Sequence, residues 1–517
     1  MDNSIDRKSL AKKTSVINLV ARAIIMIIQF ATRKMILYYL GVEYLGLNST
    51  LAQLVGTLSV SELGIQAVII YKLYKPLADD DKIRINEIMS VYRSLYRLVF
   101  LFISLGSIVL IPFLKYIITD VEVGINEIII AWLIMAFTTA VSYLLSYNYA
   151  LVTADQKLYI ITCAESVIRV VFGGLSLYFL YLIHDFFLFL TINMACTITI
   201  NFAYLIIRKK YFPWLSMGKP SKDVYKDLFV TIKDGFSGKV SSYVFNSTDN
   251  LVISALIGTS LVGIFGNYST IVASVTLIMS SLINPVQAII GNFLVKANRK
   301  QISEFILNYS YTVYLICSVL FIPTFLLIND FVCLFYGFEF QVDVIVIILL
   351  AIDKYISFAL ISVCSMLDAA GRFKTLKKMY FIGAVLNIVL SIIGVLTIGL
   401  PGVLIGTIIG HIFYWCYGGV HCYTEIVKDK SVELKEYIKY NIKLLAVYMC
   451  LSISLAVVFS KVLVAPSIIS FIVKGTLSVF SVLLVQFLVF RNTNEYKYVL
   501  DILGINRIIR RLRNGIR

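Results

Sequence analysis

Lys and Arg gather in every second connection between the long apolar segments of this chain. Apart from cations inside the apolar segments themselves, only Lys115 and Lys461 fall in the other set of connections. Cationic loops cross a bilayer poorly during insertion, so a bias of this kind marks the cytoplasmic side of a polytopic membrane protein. The pattern therefore threads the chain through a membrane many times and leaves both termini in the cytoplasm. The composition agrees: 59% of residues are hydrophobic and only 15% charged, against about 25% charged in a soluble domain. The formal charge of +16 is spread through short loops that would face anionic headgroups, which argues against a nucleic-acid partner.

A hydrocarbon core of about 30 Å needs roughly 20 helical residues to cross it. Apolar stretches of that length number about fourteen, near 16–40, 46–70, 93–115, 127–151, 158–183, 186–207, 236–258, 262–288, 305–328, 342–366, 377–399, 402–423, 442–461 and 467–490. They are continuously apolar, whereas a barrel strand alternates over about ten residues, so the fold class is an all-α polytopic membrane protein. Residues 79–97 carry Ile, Met and Tyr on one side. They predict either an amphipathic helix in the inner interface or a solvated lead-in to the third span.

A shift of 217 places Gly41 on Gly258, Gly46 on Gly263, Ala154 on Gly371 and Lys157 on Lys374. One offset serving distant hairpins of corresponding rank points to an internal repeat of six spans. An even number of spans returns the chain to its starting side, so the two repeats enter in the same orientation and their pseudo-two-fold axis runs along the membrane normal. The expected organisation is an N-lobe at 1–210, a cytoplasmic linker at 211–235, a C-lobe at 236–425, two added spans within 426–490 and a basic cytoplasmic tail at 491–517.

Ionised groups in a bilayer cost at least about 2.5–3.5 kcal/mol each, so each needs a partner, a route to the interface or a hydrated cavity. The cations within the spans include Arg22, Arg33, Lys34, Arg169, Lys239, Lys354 and Lys474, and their acidic company includes Glu62, Glu165, Asp249 and Asp353. Arg22, Lys239 and Lys474 lie near span ends and can snorkel to headgroups. Arg33 and Lys34 sit deeper and are the first candidates for a cavity. Glu165 and Arg169 are spaced to pair on one helical face. Asp353 and Lys354 are adjacent, about 100° apart around a helix, so at least one is expected to face water or the opposite lobe. Asp249, beside Asn246, Thr248 and Asn250, suits a cavity wall. Arg33, Lys34, Arg169 and Lys354 are thus candidates to bind an anionic substrate, and Glu62, Glu165, Asp249 and Asp353 to bind a coupling ion. These groups are expected to mark one hydrated chamber.

The eight cysteines contain no C-x-x-C pair and read as core residues. His411, Cys416, His421 and Cys422 lack the spacing of a ligand set, so neither a metal nor a cofactor is expected. The first apolar segment runs too long for a cleavable signal.

The strings RKMILYYLGVEYLGLNS, SELGIQAVIIYKLYKPLADDDK and LVTADQKLY, and the GRFK turn at Gly371 to Lys374, resemble the polysaccharide-export (Wzx-type) flippases. These belong to the multidrug/oligosaccharidyl-lipid/polysaccharide (MOP) transporter superfamily, and the likeness is closest over the first 160 residues or so. The resemblance implies a MATE-like fold and a bacterial plasma-membrane flippase. Its substrate would be an undecaprenyl-pyrophosphate-linked oligosaccharide repeat unit, moved to the outer leaflet for capsule, exopolysaccharide or O-antigen synthesis. It implies alternating access with an ion gradient, and membrane lipids and polysaccharide polymerase or export machinery as partners. It also implies that Arg33 and Lys34 hold the pyrophosphate and that the two added spans form a groove for the polyprenyl tail. A multidrug exporter would favour twelve spans and a carboxylate-dominated cavity, and a lipid II flippase shares the same mechanics. A polysaccharide-assembling enzyme would need a sizeable outer loop, yet the outward connections near 116–126 and 329–341 hold no His or Arg.

Overall fold

The computed structural model describes residues 23–62, 65–155, 157–218, 247–427, 432–462 and 467–502, with five further positions between 225 and 245. Every regular element among them is helical. In chain order these are α1 (23–39), α2 (Val42–Leu58), α3 (Ile65–Ala78), α4 (Lys82–Leu110), α5 (Ile125–Ser146), α6 (Asn148–Ala154), α7 (Leu158–Ile183), α8 (Phe186–Tyr211) and α9 (247–256). There follow α10 (Thr259–Lys296), α11 (Arg299–Phe335), α12 (Val344–Ala369), α13 (Phe373–Ile398), α14 (Leu400–Cys422), α15 (Val432–Val462), α16 (Ile468–Phe490) and α17 (Asn494–Ile502).

Eleven described helices are long and apolar enough to cross a membrane, and each coincides with one of the fourteen expected spans. The chain is a multi-pass membrane protein. The remaining three expected spans, near 16–40, 46–70 and 236–258, fall on stretches described only in part. Most of the 211–235 linker, and the tail beyond residue 502, lie outside the described residues.

Helix boundaries follow local chemistry. Asp81 Oδ1 accepts from the Arg84 amide at 2.9 Å to start α4, and Asp185 Oδ1 accepts from the Leu188 amide at 2.7 Å to start α8. Asn298 and Gln301 form a reciprocal capping box at α11, satisfying amides that a helix start otherwise leaves unpaired.

Two expectations are corrected here. The span near 46–70 is not one helix: α2 stops at Leu58, a 3-10 turn covers Ser59–Glu62, and α3 resumes at Ile65. Ser59, Ser61 and Gly64 are poor helix formers, and a short 3-10 stretch inside a span often marks a functional break. Residues 82–97 do not lie flat in the interface, for they are the first turns of α4. Their Ile85, Ile88, Met89, Tyr92 and Leu95 are buried in a cluster with Ile69, Leu73, Phe212 and Leu215. The apolar face found in the sequence is covered by protein. With its continuation to Ile117 the segment has 36 residues, about 54 Å at 1.5 Å per residue, so it projects well beyond the hydrocarbon core.

The repeat is visible in helix starts: Val42 and Thr259, and Lys82 and Arg299, are each 217 apart. Gly41 and Gly258 both take positive φ, 94° and 152°. By packing, the chain divides into two compact units, Met1–Gly266 and Asn267–Arg517, the division falling inside α10.

In the first unit, α2 meets the start of α10 at Gly46 and Gly263. A Cβ on Gly46 would lie 2.1 Å from the Thr259 carbonyl oxygen, and one on Gly263 would lie 2.8 Å from the Gly46 amide nitrogen. Residues equivalent under the repeat thus touch each other, as they do where a two-fold axis passes between like surfaces. Around this seam Ser254 Oγ donates to the Ile117 carbonyl at 2.7 Å, Thr119 Oγ1 to the Ser254 carbonyl at 2.6 Å, and the Thr259 amide to the Thr119 carbonyl at 2.9 Å.

The second unit is organised on α11, against which α12, α15 and α16 pack. Two polar side chains of α16 tie it to α11. Lys474 Nζ lies 2.6 Å from Asp330 Oδ2, and Gln486 accepts from Tyr311 and donates to the Tyr314 hydroxyl at 2.7 Å. Lys474 was expected to snorkel. Its side chain is instead 7% exposed and turned onto α11, where a half-buried carboxylate on the neighbouring helix pairs with the ammonium.

Candidate functional site

Besides Asp249 and the Lys474–Asp330 pair, the charged side chains singled out in the spans fall, among the described residues, into four local arrangements. Arg33, on α1, is half-buried and donates from Nη2 to the Gly263 carbonyl at 3.2 Å. The guanidinium lies over Gly266, where a Cβ would stand 2.6 Å from Nη2. The absence of a side chain there lets the planar group reach helix backbone. Lys34 is exposed on the same helix.

Glu62 closes the break between α2 and α3. Its Oε1 accepts from the Tyr96 hydroxyl at 2.6 Å and its Oε2 from that of Tyr143 at 3.3 Å. Both rings are buried and in edge contact with each other, so a carboxyl group sits under two phenols in an otherwise apolar cluster.

Glu165 and Arg169 pair along α7 as their spacing predicts, Arg169 Nη2 standing 2.8 Å from Glu165 Oε1. The Tyr204 hydroxyl of α8 donates to the other carboxylate oxygen at 3.1 Å. Arg169 is 49% exposed, so the pair is open on one side.

Asp353 is the most enclosed of the set, its side chain 3% exposed. Lys354 Nζ lies 2.9 Å from its Oδ2, and His411 Nδ1, from α14, lies 2.7 Å from its Oδ1. The Asp353 and Lys354 side chains nevertheless pair with each other. Their Cα–Cβ directions do diverge, but the four-carbon lysine stem folds back to its neighbour. Lys354 remains 29% exposed, so the ammonium spans from a closed carboxylate to an open surface.

Asp249 is half-buried on α9 between Thr248 and Asn250. Arg22, Lys239 and Asn246 lie outside the described residues. Within the first unit Arg33, Glu62 and the Glu165–Arg169 pair have different partners, and Asp353 with Lys354 stands in the second. Among the described residues no group of three or more His, Cys, Asp or Glu could hold a metal ion. His421 Nδ1 instead contacts the Tyr417 carbonyl at 2.9 Å.

Sequence reasoning missed His411 as Asp353's partner and Asp330 as that of Lys474. The His411 contact spans 58 positions in sequence, and no local spacing encodes it. Asp330 was placed in an outward connection because the apolar run stops before it, yet α11 continues to Phe335. The phenols holding Glu62 and Glu165 were lost among 33 tyrosines.

No protein-family model matches the chain, and no curated protein does. Solved structures do. A lipid II flippase MurJ in an inward closed conformation superposes with a TM-score of 0.71 at 13% identity, covering 92% of this chain and 99% of that one. An inward-facing multidrug resistance MATE family transporter of the MOP superfamily gives 0.63 at 14% identity, covering 80% and 100%. The MATE multidrug transporter DinF-BH gives 0.58 at 13%, covering 81% and 96%. The chain therefore has the fold of MOP-superfamily transporters and flippases.

Proposed function

We propose that this protein moves an undecaprenyl-pyrophosphate-linked oligosaccharide repeat unit from the cytoplasmic to the outer leaflet of a bacterial plasma membrane. It does so by alternating access coupled to an ion, for capsule, exopolysaccharide or O-antigen synthesis, with both termini cytoplasmic. Arg33, Lys34, Arg169 and Lys354 bind the phosphates and acidic sugars, because guanidinium and ammonium groups bind phosphate oxygens directly. Glu62, Glu165, Asp249 and Asp353 form the set from which the coupling ion is held. Polysaccharide polymerase or export machinery receives the product.

The observation that carries this reading is the extent of the flippase match. A match over 92% of the chain cannot leave out both α15 and α16, whereas the 80% match to the multidrug transporter can. At least part of the two added helices is thus matched in a lipid II flippase, which supports a lipid-linked substrate. The cation content within the spans favours an anionic cargo over the organic cations of a multidrug exporter.

Replacing Arg33 with Ala should abolish surface polymer while the protein remains in the membrane at unchanged abundance, measured by immunoblot of membranes beside polymer assay. Normal polymer output from that variant would remove the proposal. The lipid II alternative draws support from the same neighbour. Depletion of the protein decides between them, since loss of surface polymer with intact peptidoglycan fits the repeat unit and lysis fits lipid II.

A further inference from the structure

We propose that the cleft where α3 turns into α4 is a carbohydrate-binding site, which takes the sugar portion of the cargo on the side of the membrane where it is loaded. That the sugar is cargo rests on the flippase reading; that the cleft binds sugar does not.

The cleft has a volume of about 550 Å³, within the range of small-molecule sites. It lies in the first unit, between the end of α3, the start of α4 and Leu228. Ile88 and Leu228 are buried and give it an apolar floor. Tyr71 and Tyr74 line it from α3 and are 69% and 52% exposed, so much of each ring is open to a ligand. Lys75, Asp79 and Arg84 add polar groups of both signs. Backbone bonds fix the turn that carries them. The Asp79 amide donates to the Lys75 carbonyl at 3.0 Å and the Asp81 amide to the Pro76 carbonyl at 2.9 Å. The Arg84 guanidinium is held from one side by Glu87, Nη1 to Oε2 at 3.1 Å. A wall set in this way loses little freedom when a ligand arrives.

The lining selects a class of ligand. A bare anion would meet Asp79 and Asp81, and an organic cation would meet Lys75 and Arg84. A wholly apolar ligand would strip water from all four groups and return no hydrogen bond. A sugar satisfies them together, because its hydroxyls donate to carboxylates and accept from ammonium and guanidinium groups. Its C–H hydrogens carry a slight positive charge and are drawn to the electron-rich face of a phenol ring.

The 217 shift carries Pro76, Arg84 and Ile88 onto Phe293, Gln301 and Phe305, which line a cleft of about 550 Å³ in the second unit. The cavity therefore belongs to the shared scaffold. Tyr71, Tyr74 and Lys75 correspond to Ala288, Gly291 and Asn292, so the two rings and the ammonium belong to one copy only. The second cleft is a control within the same chain.

Saturation-transfer difference NMR on the purified full chain, in a detergent without a sugar headgroup, tests the site with two probes. One is the repeat-unit oligosaccharide released from the host's surface polymer by partial hydrolysis, and the other is the disaccharide of peptidoglycan. The wild type should bind one of them, and which one it binds separates a repeat-unit cargo from lipid II. The Tyr71→Ala/Tyr74→Ala double variant should bind at least roughly tenfold more weakly, with membrane abundance unchanged because both rings are exposed. Tyr71→Phe/Tyr74→Phe keeps the rings and should bind like the wild type. Asp79→Asn should weaken binding about threefold, and Tyr498→Ala, in the second cleft, should leave it unchanged. No wild-type binding of either probe would overturn the proposal, as would undiminished binding in the double alanine variant or loss of binding in Tyr498→Ala alone. A wild type that binds neither probe, in a host whose surface polymer is lost on deletion, would remove this site and leave the flippase reading standing. Ring-dependent binding in a protein whose deletion leaves surface polymer and peptidoglycan unchanged would remove the flippase reading and leave this site standing.

Discussion

The two repeats start α2 and α10, and α4 and α11, at one offset and share a turn glycine at Gly41 and Gly258, yet Glu62, Asp353 and Lys354 have no charged counterpart in the other repeat. Glu62, at the break between α2 and α3, corresponds under the 217 shift to Met279, which is buried in an unbroken α10. Asp353, Lys354 and His411 correspond to Ala136, Phe137 and Met194. What the repeats hold in common is geometry: tight turns at Gly41 and Gly258, and the contact of Gly46 with Gly263. What separates them is chemistry set into that geometry one repeat at a time. Positions kept in both are constrained by backbone packing, whereas a buried charge held in only one carries a desolvation cost that the other repeat avoids.

The comparison can be broken at its strongest point by exchanging residues between repeats. Met279→Glu would bury a carboxylate where the positions equivalent to Tyr96 and Tyr143 are Val313 and Leu360. A loss of about 3–5 kcal/mol is expected, seen as a collapse of the thermal midpoint in detergent. A variant as stable as the wild type would mean that α10 can break as α2 does.

The seam comes next. Gly46→Leu places a Cβ within 2.1 Å of a backbone oxygen, so the helices must part, at a cost of about 3 kcal/mol. Membrane abundance should fall sharply. If it does not, the seam is looser than its geometry.

Glu62→Met, the reverse exchange, leaves the buried Tyr96 and Tyr143 hydroxyls without their acceptor. It should lower stability by about 1–3 kcal/mol. A neutral or stabilising result would show that the break comes from Ser59, Ser61 and Gly64 alone.

Arg169→Gln should have the smallest effect on stability, under about 1 kcal/mol, because the Arg169 side chain is 49% exposed and Tyr204 still serves Glu165. A larger drop in the thermal midpoint would move this pair into the class of buried ion pairs.

Legibility in sequence followed range. The spans and the repeat are periodic or compositional, and eleven expected spans were found in place. The Glu165–Arg169 pair is local, and its spacing predicted it. The Asp353 trio was half legible: two adjacent charges drew notice, but the third lies 58 residues on. Lys474 was misread because the apolar run near 305–328 ends before Asp330, and nothing local says that the helix continues past it. The break at Ser59–Glu62 was hidden by the apolar residues on both sides.

The sequence by itself determined that this chain crosses a membrane as helices, where the basic connections gather, and that its scaffold is doubled, because hydrophobic length and charge asymmetry act segment by segment. Tertiary structure alone decided the pairs made between helices, His411 with Asp353 and Lys474 with Asp330. Such pairing depends on distances of about 3 Å between helices remote in sequence, and a one-dimensional pattern contains no term for that contact.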